Sequence, residues 1–229
     1  MENSESGVTN PLQAIGLDSK QGEGLQSMGL VMSRAGLGKT AILVQFALDC
    51  MMNNKNVLHV SIGEGVDKIR TWYDDIVANL DVSPSDISAL MSKRMIMTFK
   101  ESDFTKAVLA ERIEDLVEQK IYIPECLVID GYDFDTNDRA ALEEVRDFAT
   151  EIGINMMWFS GVNHRTDDRV SVDGIPAPCH DVGDLFETAL LINPVENEIE
   201  LKILKCGACA VDPGTVLTLD PSTMLIKQA

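Results

Sequence analysis

Basic residues are scarce in this chain. Lys plus Arg number 19 against 37 Asp plus Glu, which leaves a formal net charge of −18 over 229 residues. A duplex-binding surface displaces counterions with clustered Lys and Arg, and no such cluster occurs. Nucleic acid is therefore not the expected partner, and an anionic membrane surface is disfavoured for the same reason. The charge itself reads as a solubility device. Long apolar runs are also missing: nowhere do about 18 apolar residues follow one another, so no membrane-spanning helix is predicted. The N-terminal Met1-Glu2-Asn3-Ser4-Glu5 is polar and acidic and lacks a signal pattern, so a cytoplasmic location is expected. Aromatic residues are only 5% of the chain. The cysteines are few and odd in number, namely Cys50, Cys126, Cys179, Cys206 and Cys209. Most lie in apolar stretches and read as reduced thiols rather than as a disulfide framework.

What is present is an alternation of apolar runs and amphipathic segments. Residues 1–15 lack periodicity and read as a flexible N-terminal arm; residues 16–229 read as one domain. Strands are predicted at 28–32, 57–62, 94–99, 126–129 and 154–160. Helices are predicted at 40–52, 66–80, from Ser102 or Asp103 to about Gln119, and from Asp135 or Thr136 to a stop at Gly153. Such alternation implies an α/β fold, a mostly parallel sheet with helices on both sides. After residue 187 the pattern changes to short strands at 189–192, 198–204, 216–219 and 224–226, with turns at Asn193-Pro194, Asp212-Pro213-Gly214 and Asp220-Pro221. These read as antiparallel hairpins that extend the sheet.

The segment with the clearest chemistry is Ser33-Arg34-Ala35-Gly36-Leu37-Gly38-Lys39-Thr40. It lies between a predicted strand and a predicted helix, the setting a phosphate-binding loop requires. Successive backbone N–H groups there wrap an anion, and the helix that follows turns its positive end to the same place. Gly36 and Gly38 permit the tight curve. Lys39 is placed to bridge β- and γ-phosphates, and the Thr40 hydroxyl to ligate magnesium. The common pattern opens with glycine, where this chain has Ser33; its last six residues match. Asp130, closing the apolar run Leu127-Val128-Ile129, is a candidate magnesium partner. Glu64, just beyond the second strand, is a candidate for orienting the attacking water.

Taken in order, these elements resemble the RecA-like ATPases of the KaiC and DnaB-helicase branch. Gly16 to Asp18 and Gly22 to Leu25 resemble the stretch before that branch's first strand, and Arg34 its second loop residue. The resemblance covers roughly residues 16–228. It implies a three-layer RecA-like P-loop fold, ATP and Mg2+ as ligands, and hydrolysis of ATP to ADP and phosphate. It carries the catalytic glutamate onto Glu64, the magnesium aspartate onto Asp130 and the polar end of the fifth strand onto Ser160. Residues 201–207 resemble the strand whose end carries a trans-acting lysine finger, which makes Lys205 a candidate to reach a neighbour's nucleotide. A homo-oligomer of ring or filament type follows from that. Two positions depart from the pattern: Gly161 stands where helicases often have glutamine, and Gly207 where an arginine usually follows the finger. With no added helicase domain, the expectation is a stand-alone ATPase, or else a low-turnover nucleotide-dependent switch or scaffold. Deviant P-loop ATPases of the MinD/ParA type offer another reading, in which Arg34 acts in trans.

Other residues invite chemical readings. Cys206-Gly207-Ala208-Cys209 has C-x-x-C spacing and reads as a tight turn with neighbouring thiols, as a redox pair, or, with Cys179 and His180, as a zinc site. His59, within an apolar strand, reads as a core histidine. His164 reads as a surface-loop residue or a nucleotide sensor. Trp72 and Tyr73 read as packing residues, and Ile175-Pro176-Ala177-Pro178 as an extended loop able to move over the nucleotide.

Overall fold

The computed structural model describes residues 14–17, 27–80, 83–196, 198–207 and 209–227. Most of the predicted arm, and the Gly22 to Leu25 segment, lie outside the described residues. Ile15 is fully buried, and its carbonyl accepts from the Ala210 N–H at 3.0 Å, so the packed chain already includes the last predicted arm residue.

One eight-stranded sheet organises the molecule, in the order β3-β2-β4-β5-β1-β6-β7-β8. β1 (Ser27–Ser33), β2 (Val57–Ile62), β3 (Arg94–Phe99), β4 (Cys126–Asp130) and β5 (Met156–Val162) run parallel. β6 (Thr188–Val195) is parallel to β1, and β7 (Glu198–Cys206) and β8 (Val216–Leu219) are antiparallel additions. The central strands are buried along their whole length because helices cover both faces, which is why they read as continuous apolar runs rather than alternating ones. Thus the expected α/β architecture, mostly parallel with antiparallel C-terminal strands, is present.

One face carries α1 (Lys39–Met52), α2 (Val66–Val77) and α3 (Pro84–Met91). The other carries α4 (Lys106–Glu118) and α5 (Arg139–Glu151). Helix α1 is apolar on nearly every side and is buried from Ala41 to Met51. The sheet covers one flank; neighbouring helices and the C-terminal segment cover the rest, with Gln45 Nε2 donating to the Met224 carbonyl at 3.0 Å. β1 and β5 meet at the Gly29–Trp158 pair. A Cβ on Gly29 would lie 2.3 Å from the indole, so only glycine lets Trp158 lie over β1 and stack against Phe46, whose ring centroid is 4.0 Å away.

Several boundaries differ from the sequence reading. Thr105, not Ser102 or Asp103, caps α4, because residues 101–103 form a separate 3-10 turn. Asp138 caps α5, since Asp133 is engaged in its own turn, accepting from the Asp135 N–H, the Thr136 N–H and the Thr136 hydroxyl. Asn193-Pro194 is not a turn. It continues β6 beyond its last pairing with β1 at Leu191, where proline's missing N–H breaks no ladder on that side. Residues 224–226 contribute one isolated bridge between Ile226 and Leu219 instead of a strand. Among the described residues no helix is long and apolar enough to cross a membrane.

Candidate functional site

The glycine-bearing loop leaves β1 at Ser33 and enters α1 at Lys39. Gly36 and Gly38 have φ of +77° and +86°, a left-handed region that glycine enters without strain. Gly38 is the residue preceding α1, and no side chain caps the helix there. Gly38 therefore leaves the first N–H groups of the helix without a side-chain cap of its own. A Cβ on Gly38 would lie 2.3 Å from the Met224 methyl, so the C-terminal segment packs against the loop from below. Arg34, Ala35 and Gly36 are exposed, whereas Leu37 and Gly38 are half-buried.

Ser33 is fully buried, and its position suits a hydroxyl. The Ser33 hydroxyl donates to the Arg34 carbonyl at 2.7 Å, and Lys39 Nζ lies 3.4 Å from both Ser33 Oγ and the Arg34 carbonyl. The lysine thus arches back over the loop. Burial lowers its pKa from the ordinary lysine value, an effect that nearby Asp130 partly offsets. A partly desolvated ammonium held by neutral oxygens is primed to gain from an anion.

Strand order explains the remainder of the site. β5 lies between β1 and β4, so a group at the end of β5 reaches the same corner as the loop and Asp130. Ser160 occupies that place. Its hydroxyl donates to Asp130 Oδ1 at 2.6 Å and accepts from the Gly131 N–H at 2.8 Å. The Thr40 hydroxyl donates to Asp130 Oδ2 at 2.6 Å. The carboxylate, only 7% exposed, is held at both oxygens. Thr40, Asp130 and Ser160, residues far apart in sequence, are brought together at one end of the sheet. A hydroxyl and a carboxylate beside a phosphate-sized loop form a donor set that fits a hard divalent cation with water and phosphate oxygens as further ligands.

Glu64 stands apart from this group. Half-exposed, it pairs with Lys68 one turn along α2 and borders a separate cleft with Lys100 and Arg112. Lys205 Nζ donates to the Gly183 carbonyl of its own chain at 3.2 Å. Gly161, the departure from the helicase pattern, has its side-chain space filled by Cys179: a Cβ there would lie 2.7 Å from the sulfur. Cys179 is buried, and burial raises its thiol pKa.

The cysteine and histidine readings separate cleanly. Cys206 and Cys209 form a disulfide, contrary to the expectation of five reduced thiols; the turn after β7 brings their Cα atoms to 5.5 Å. Cys50, Cys126 and Cys179 are free and buried. Among the described residues no group of three or more His, Cys, Asp or Glu side chains converges on a metal-sized space, which removes the zinc reading. His59 is a core residue, its Nδ1 3.0 Å from the Tyr73 hydroxyl and its pKa pushed down to about 4, mainly by burial. His164 is on the surface, with Nε2 2.6 Å from Asp135. Tyr73 is buried and Trp72 half-buried against the core, as packing residues. The loop at 175–178 is anchored against the core, with Ile175 and Ala177 fully buried.

What the sequence reading missed is a cavity of about 430 Å³ next to the site, beyond the ends of β2, β4 and β5. Its walls include Gly131 and Tyr132, the residues directly after Asp130. No periodic signal marks it, because residues from five separate segments build it. Together the fold and the site define a three-layer α/β protein with a glycine loop, a buried carboxylate and a lysine at one end of a mostly parallel sheet. No protein-family model matches the chain, and a search of curated proteins returns no match.

Proposed function

We propose that this chain binds ATP with Mg2+ at the Ser33–Thr40 loop and hydrolyses it to ADP and phosphate, as a RecA-like P-loop ATPase of the KaiC type. The observation that carries the reading is the contact between the Thr40 hydroxyl and Asp130 Oδ2 at 2.6 Å. A loop threonine and a strand-end aspartate in contact form the pair that a nucleotide-bound magnesium ion needs.

In this reading the backbone N–H groups of residues 34–40 and the start of α1 bind the phosphates. Lys39, already desolvated, exchanges neutral oxygens for phosphate oxygens. Thr40 and Asp130 are the residues that would hold magnesium beside the phosphates. Ser160 keeps the carboxylate turned toward the loop. The magnesium ion supplies charge neutralisation at the γ-phosphate when bound. Glu64 is the candidate for orienting water, and its present partner Lys68 has to release it for that role. Lys205 is the candidate finger from a neighbouring copy in a homo-oligomer, where its own-chain bond to the Gly183 carbonyl has to be exchanged for the nucleotide.

Those two engagements favour a specific second reading, a nucleotide-dependent switch with little turnover. Here ATP biases a conformation and is rarely cleaved. Titration of the purified protein with ATP and MgCl2, reading binding and phosphate release together, tests both. Binding that is lost in Lys39→Ala supports the site. Phosphate release that is abolished in Glu64→Gln supports the ATPase; binding with negligible release in the wild type supports the switch. Absence of binding at millimolar ATP overturns both.

A further inference from the structure

The cavity beyond Asp130 is not a phosphate site. Its walls carry the carboxylates of Glu101, Asp133 and Asp135, with His164 as the one basic side chain. His164 is already engaged by Asp135, and Asp133 by its own turn, but Glu101 is exposed at the mouth. Phe104, Tyr132 and Phe134 supply aromatic faces. Tyr132 is only 4% exposed, and its buried hydroxyl has no hydrogen-bond partner among the described residues; burial, aided by nearby Asp138 and Asp133, raises its pKa. A buried hydroxyl without a partner is uncommon. Carboxylates, aromatic faces and an unused hydroxyl together suit a cationic group that also donates hydrogen bonds.

A second observation comes from the loop after β5. It closes the cavity wall through Pro178 and is anchored by buried Ile175 and by the Ala177 N–H to Arg169 carbonyl bond at 2.9 Å. Yet it holds Val170 60% exposed and Val172 fully exposed, while Val162, in the cavity wall, is 37% exposed. A firmly held loop that turns valines to solvent beside a cavity has the character of a contact surface. The surrounding charge leans acidic: segments 131–139 and 163–184 together contain eight Asp against three Arg and no Lys, with Arg169 bound to Asp167 and Arg139 to Asp184.

We propose that the cavity and the valine-tipped loop form a docking site for a basic polypeptide segment, with one arginine or lysine side chain entering the cavity and apolar neighbours covering Val170 and Val172. The inference stands on the cavity and its charge and does not depend on the ATP reading.

The test uses the full chain and a short fluorescein-labelled peptide of alternating leucine and arginine, compared with the same peptide carrying citrulline for arginine. Citrulline keeps the shape, removes the charge and replaces one NH2 donor with a carbonyl acceptor. The arginine peptide should bind at least about tenfold tighter, with affinity falling as salt rises. Glu101→Gln and Val172→Ser, both exposed and harmless to the core, should each weaken binding by about threefold or more. Tyr132→Phe separates docking from structure: a purely structural tyrosine gives unchanged peptide affinity, whereas docking through the hydroxyl lowers it at unchanged or higher melting temperature. Equal binding of the citrulline peptide, or no binding at millimolar arginine peptide, overturns the proposal. So does a single-stranded oligonucleotide that binds tighter than the arginine peptide, which would assign this face to nucleic acid.

Discussion

The Thr40–Asp130 contact can be tested as an energy, without any nucleotide. Asp130 is 7% exposed and accepts from two hydroxyls, Thr40 and Ser160, at 2.6 Å each. A hydrogen bond to a charged group contributes about 1.5–3 kcal/mol when the site is shielded from water. Thr40→Val keeps the shape and removes the donor, so the carboxylate keeps only the Ser160 hydroxyl. The expected loss is about 2 kcal/mol, or roughly 4–8 °C in melting temperature for a chain of this size. Asp130→Asn removes the charge and retains one carbonyl oxygen. If the two groups act on one another, the double variant should be less damaged than the sum of the single ones, with a coupling of about 1–2 kcal/mol. Urea denaturation of all four proteins at constant pH, in the presence of a chelator, measures it. A coupling below about 0.5 kcal/mol, the range found for independent sites, would refute the argument that loop and strand end are locked together. The same variants read magnesium-dependent ATP binding separately, so a stability coupling without nucleotide binding would locate a structural bond and deny the site.

Other consequences follow from single residues. Lys39→Ala should abolish ATP binding while leaving the unliganded protein as stable or slightly more stable, because a partly desolvated ammonium is removed; a thermal shift with and without ATP and MgCl2 reads both. Gly38→Ala combines a φ of +86° with a Cβ 2.3 Å from the Met224 methyl, so it should cost about 1–3 kcal/mol, and Met224→Ala in the same chain should recover the steric part in denaturant melts. His59 has its pKa pushed down to about 4 by burial beside Tyr73 and Arg94. The unfolded chain therefore binds a proton between about pH 6.5 and 4 that the folded chain refuses, and stability falls as pH falls through that window, by roughly 3 kcal/mol in all. His59→Gln should flatten that slope, as measured by denaturation at stepped pH; an unchanged slope would place the acid sensitivity elsewhere.

Much of the layout was legible from residue order. The apolar runs became buried parallel strands because helices cover both sheet faces, and the 3.6-residue periodicity within 66–80 and between Asp135 and Gly153 marked helices that the structure bounds at Val66–Val77 and Arg139–Glu151. The glycine loop was legible because Gly38-Lys39-Thr40 follows an apolar strand and opens an apolar helix. Helix starts were less legible: Ser102, Asp103, Asp135 and Thr136 all have capping side chains, and local turns took them before the helices could. Asn193-Pro194 read as a turn because its composition is that of a turn. Only the end of β1 as a pairing partner decided that proline was tolerated in strand there.

The sequence by itself determined the alternation of strands and helices, the phosphate-loop pattern and the acidic character of the chain, since these depend on neighbours along the backbone. Tertiary structure alone decided that Thr40 and Ser160 both meet Asp130, one at each carboxylate oxygen, because strand order and not residue order sets which side chains meet. It also decided that Cys206 joins Cys209 and not Cys179 and His180. The acidic aromatic cavity is a product of the same kind: its walls come from the ends of separate elements, and a cavity shared among distant segments leaves no local pattern to read.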